Sequence, residues 1–170
     1  MTKTTLRKGF SLIEILIVIT LFSILAFLVT QSTLQSFRGT RKADASGKVR
    51  DSLDFAASTV ERNVRNAKSI TSAATTCDGT SRTSLSYVDQ TGTTRVFSYN
   101  GNATNGYLAL DGVRITSADI TVTSLSFTCT ITSVVNPPVI DYVISGKALN
   151  VDTTEESFTT ISRRVILRVY

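Results

Sequence analysis

The 170-residue chain contains no histidine. Without an imidazole, Ser-His-Asp and Cys-His nucleophilic arrangements are excluded, and the two cysteines alone are too few for a zinc site. No P-loop or dinucleotide-binding glycine pattern occurs either. The chain is therefore not expected to be an enzyme, and no cofactor is implied. Asp152 with Glu155 and Glu156 form an acidic set of the kind that holds Ca²⁺ in some loops, but three acids in a Thr-rich turn are more often solvated charge, so no metal site is assigned. Proline is scarce too: the two present are adjacent, Pro137 and Pro138.

Charge is missing from one place in particular. Residues 10–30, FSLIEILIVITLFSILAFLVT, contain a single ionisable group, Glu14, and neither Pro nor Gly. Twenty-one residues of helix rise about 30 Å, the thickness of a bilayer's hydrocarbon core. The run is longer than an ordinary secretory signal and no small-x-small site closes it, since Ala26 is followed by Phe27, Leu28 and Val29. It reads as a transmembrane segment. Basic residues flank it on both sides, so orientation follows from length: long domains translocate regardless of charge, which leaves the short N-terminal tail inside and the remainder outside.

What remains is one domain's worth of chain. The length suits a single modest core plus an anchor, and the 42% apolar fraction is concentrated in the anchor. The net charge of +5 is also unevenly placed, because Lys3, Arg7 and Lys8 supply three of the 18 basic residues against 13 acidic ones. Residues 31–68 carry eight basic and four acidic side chains, and residues 69–170 carry seven and eight. Only the stalk is basic; the head is nearly neutral.

Cys77 and Cys129 follow the membrane segment, so they lie outside the cytosol and read as one disulfide, with two free buried thiols as the alternative. In the chain-entropy view, closing a loop of about 50 residues contributes about 4 kcal/mol.

Glu14 needs a reason, since an acid near the bilayer centre costs about 3 kcal/mol on insertion scales, less toward the edge. Arg7-Lys8-Gly9-Phe10-Ser11-Leu12-Ile13-Glu14, followed by ILIVITLFSIL, resembles the class III leader of type IV pilins, pseudopilins and competence pilins. The resemblance covers the first 30 or so residues. It implies that a membrane-embedded prepilin peptidase cuts between Gly9 and Phe10 and methylates the new amine at Phe10, with Arg7 and Lys8 as the basic end of the leader. Glu14 becomes the fifth mature residue, the assembly acid. Within an array of such helices its carboxylate would neutralise that amine, pairing two charges that are costly in an apolar core. The implied partners are other pilin or pseudopilin subunits, the peptidase and the inner-membrane assembly platform. The implied location is the inner membrane with the head outside the cytosol, and then a cell-surface or periplasmic filament. Many relatives carry a Pro where Gln31 stands here.

Beyond the membrane, Val49, Leu53, Ala56, Val60, Val64 and Ala67 recur at three- and four-residue steps, opposite mostly charged positions, which predicts an amphipathic helix to about Ala67. Gly39 and Gly47 weaken the segment 36–48, where a hinge or melted stretch is expected. After Ile70 the composition turns to β-branched residues, Ser, Thr, Asn and Gly. Strands are predicted at 84–88 and 94–99 around a Gln90-Thr91-Gly92 turn, at 107–110, 113–116, 120–131, 139–144 and 163–169. The expected organisation is a leader (1–9), a membrane or filament-core helix (10–35), an amphipathic helix (36–70) and a β-rich head (71–170). The fold class is α+β, a long helix packed on an antiparallel sheet. The ending RRVILRVY is similar to minor pseudopilins of the J type or related minor pilins.

Two readings from different classes follow. One is a structural, minor subunit of a pilus or secretion pseudopilus. The other is a DNA-contacting pilin of an uptake system, using Arg38, Arg41, Lys42, Lys48, Arg50, Arg62, Arg65 and Lys68. No aromatic residues interleave with these basics, so a solvated helix face is favoured over DNA. A third reading is an unprocessed single-span membrane protein.

Overall fold

A computed structural model describes residues 11–70, 77–131, 137–149 and 157–168. Its longest element is α1, Leu12–Arg65. Internal contacts divide the chain into two units, residues 1–41 and 42–170.

In the first unit the helix opens with the amides of Glu14 and Ile15 donating to the Ser11 carbonyl, at 3.0 and 3.3 Å. Every large apolar side chain from Leu12 to Val29 is exposed. The hydroxyls inside this apolar surface are not left hanging: Thr20 donates to the Ile17 carbonyl, Ser23 to Ile19 and Thr30 to Ala26, each at 2.8 Å. Such back-bonding lets a hydroxyl enter hydrocarbon without an unsatisfied donor. By length and composition the helix is able to cross a membrane, and none of its most apolar stretch is buried.

The helix is unbroken across residues 36–48. This corrects the expected melted stretch. Gly39 and Gly47 are exposed and would have nothing within 4 Å of an added β-carbon. Their cost is therefore one of propensity alone, about 1 kcal/mol each, too little to melt a helix continued on both sides.

In the second unit the predicted stripe is the buried one. Val49, Leu53, Ala56, Val60 and Val64 on α1, and Ala67 just beyond it, have no exposed surface; Ala45 and Ala57 join them. The strands are β1 (Asp78–Arg82), β2 (Ser84–Val88), β3 (Thr94–Asn100), β4 (Tyr107–Leu110), β5 (Val113–Arg114), β6 (Ile120–Thr130), β7 (Val139–Ala148) and β8 (Phe158–Ile166). They form two four-stranded sheets, β1-β6-β7-β8 and β2-β3-β4-β5, with every pairing antiparallel. One sheet was expected. The chain changes sheets at Thr83 between β1 and β2, and a DGTSR strand without apolar alternation gave no sign of it.

Alternation places Ile140, Tyr142 and Ile144 of β7 inward. In β6 the inward set changes parity, from Ile120 and Val122 to Leu125, Phe127 and Cys129, because a bulge intervenes between Val122 and Ser124. The Tyr142 hydroxyl donates to the Ala57 carbonyl at 2.8 Å, tying β7 to the helix. Burial pushes that phenol up to about 12. Arg163 of β8 adds an ion pair with Asp54 at 2.9 Å. The two sheets meet where the Val122 amide donates to the Gly106 carbonyl at 2.8 Å and the Tyr99 hydroxyl to the Val122 carbonyl at 3.2 Å.

Cys77 and Cys129 are joined by a disulfide with Cα atoms 4.5 Å apart. It pins the approach to β1 onto β6, and of the two readings of these thiols it is the bonded one that holds.

Candidate processing and assembly segment

Four of the predicted site residues, Arg7, Lys8, Gly9 and Phe10, lie outside the described residues, as do Asp152, Glu155 and Glu156. Glu14 is described, and it is the acid in the first turn of α1. Amides at a helix start carry partial positive charge, so a carboxylate there is favoured. Its side chain is exposed, with apolar neighbours along the helix: Leu12, Ile13, Ile15, Leu16, Ile17 and Val18 are all exposed. A carboxylate set in such a surface has no reason to stay unpaired once that surface is covered by lipid or protein.

The eight stalk basics are all exposed. Arg50 reaches Asp54 at 3.8 Å and Arg65 pairs with Glu61, both one turn apart on α1. Exposed pairs of this kind contribute little, about 0.3–0.5 kcal/mol.

In the head two of the acids, Asp89 and Asp111, sit at turns between strands. Asp89 accepts from the hydroxyl and amide of Thr91 and from the amide of Thr93, closing the β2–β3 turn. Those bonds, with Arg95, hold its carboxyl down at about 2. Arg95 also pairs with Asp111 at 2.7 Å. Burial works to raise the Asp111 carboxyl, but the bonds from Arg95 and the Val96 amide outweigh it and the net shift is downward. Among the described residues no three Cys, Asp or Glu side chains cluster as a metal site would require. The ending RRVILRVY is partly structural, since Val165 and Leu167 are buried in the core.

The comparisons bear on the N-terminal segment. Residues 5–30 match the family model of the prokaryotic N-terminal methylation motif. No curated protein and no solved structure matches the chain significantly. The matched motif runs into a long helix whose second half packs on antiparallel sheets, so the N-terminal motif supports a likeness to type IV pilins and pseudopilins and the α+β arrangement is consistent with a pilin fold.

Proposed function

We propose that the protein is a structural, minor subunit of a type IV pilus or secretion pseudopilus, made as a precursor and cut between Gly9 and Phe10. The observation that carries this reading is the methylation motif at residues 5–30. Cutting there removes Lys3, Arg7 and Lys8 and frees the Phe10 amine, which is then methylated from a methyl donor, four residues from Glu14, about one helical turn. Before assembly, residues 10–30 hold the subunit in the inner membrane with the head outside the cytosol. In the filament, the same surface packs on other subunits' helices, where Glu14 neutralises the amine. The peptidase and the assembly platform are the partners this route requires. The minor role leans on the likeness of the C-terminal ending to minor pseudopilins. The protein has no catalytic task in this reading.

The test is incorporation. Filaments sheared from cells expressing the wild-type chain should contain it. Glu14→Ala should be processed and remain in the membrane fraction, with incorporation reduced at least tenfold. Equal incorporation of Glu14→Ala would remove the acid from the account.

A further inference from the structure

The stretch that follows the apolar run has an order that spanning the hydrocarbon does not require. Residues 31–41 are helical. At about 100° per residue, Leu34, Phe37, Arg38 and Arg41 stand at i, i+3, i+4 and i+7 and share an arc of about 100°. The rest of the circumference holds only Gln, Ser, Thr and Gly. Leu34 is 49% and Phe37 62% exposed. Arg38 and Arg41 are exposed, and neither makes an ion pair with any described residue. Two apolar and two cationic side chains are thus aligned on one face, the apolar pair nearer the membrane span.

The depths match a lipid surface. If residues 10–30 span the hydrocarbon, the Arg38 Cα lies about 12 Å beyond it along the helix. Helical side chains lean toward the N-terminus, so the guanidinium reaches back by about 6 Å, to the phosphate level of a headgroup layer that is about 5–7 Å deep on each side. Arg41 falls one turn further out, within about a Debye length of that plane. Leu34, about 6 Å beyond the span, lies lower, toward the hydrocarbon boundary where apolar side chains are favoured, and the Phe37 ring leans back toward it from within the headgroup layer. We propose that this stripe docks on the headgroups of an anionic membrane and leans the helix toward them, an inference that rests on the membrane-spanning reading above. A nucleic acid would reward the arginines but leave Leu34 and Phe37 in water. A second copy meeting the same face would set like charges against each other.

The test uses the full chain with Phe37→Trp as reporter, since the protein has no tryptophan of its own. It is reconstituted in phosphatidylcholine vesicles containing either phosphatidylglycerol or phosphatidylcholine brominated near the headgroup end of the acyl chains. Flotation with the vesicles reports insertion. The expected result is insertion in both, with brominated phosphatidylglycerol preferred; each arginine near an anionic surface supports at most about a fivefold preference at low salt. Adding Arg38→Gln and Arg41→Gln should leave flotation intact and bring the preference to parity, while the double Lys variant retains most of it. Equal quenching by the two lipids, or a preference that survives the Gln pair, overturns the docking with the membrane reading still standing. Failure to float with any vesicle overturns both. If the Gln pair changes only DNA retention or only cross-linking between copies, the stripe belongs to those partners and the lipid assignment is wrong.

Discussion

At Gly106 a β-carbon would stand 2.3 Å from the Val122 carbonyl oxygen and 2.6 Å from that of Asn102, both backbone atoms held by the junction of the sheets. Overpacking against backbone costs about 1–3 kcal/mol, so Gly106→Ala should lower the urea midpoint of the detergent-solubilised protein by a corresponding amount. Gly47 is the contrasting position, open on every side in a helix interior. Gly47→Ala should stabilise by about 1 kcal/mol, and a loss of stability there would show that the glycine is needed for something other than space. Asp89 has a depressed carboxyl, at about 2 against an ordinary value of 3.8, with Asp78 and Asp111 shifted in the same direction. Their bonds therefore add stability that is fully present above about pH 4 and is lost as pH falls toward 2. Urea midpoints measured between pH 5 and pH 2 should show this decline, with Asp89→Asn less stable at pH 5 and flatter below it.

Among the elements, legibility followed local period. The stripe Val49 to Ala67 was readable because a helix with one buried face repeats its apolar residues every three or four positions, and all six named positions are buried. The β2–β3 hairpin was readable from alternation around a Thr-Gly turn, and its strands begin where expected. β1 was not, because Asp78-Gly79-Thr80-Ser81-Arg82 carries no apolar face; it is a strand through pairing with β6 and the neighbouring disulfide. The first half of β8 was missed for a similar reason. Phe158-Thr159-Thr160-Ile161-Ser162 has its large residues on opposite faces, and it is defined by its ladder with β7. The disulfide joins positions 52 residues apart. Removing such a cross-link costs about 4 kcal/mol in the chain-entropy model. Reduction, or Cys77→Ser with Cys129→Ser, should therefore lower the melting temperature by more than ten degrees, and an unchanged melt would mean that the β1–β6 pairing needs no staple.

Taken as a whole molecule, the protein divides its labour along the chain. The head is a conventional α+β core that buries a helix face and pairs or hydrogen-bonds acids such as Asp54, Asp89, Asp111 and Asp141 at its surface. The N-terminal segment leaves its apolar side chains uncovered, with one acid in the first turn. The leader was the most legible part of the site, since charge, glycine, aromatic residue, acid and apolar length fall in a fixed order that periodicity alone does not require. The stripe from Leu34 to Arg41 is less so, because its arginines share their charge with the other stalk basics and only their helical face sets them apart. Everything proposed for the filament depends on one cut. Intact mass and N-terminal sequencing of the chain from cells containing a prepilin peptidase test it directly. The account predicts an N-terminus at methylated Phe10, with the first nine residues gone; an N-terminus still at Met1 would contradict it.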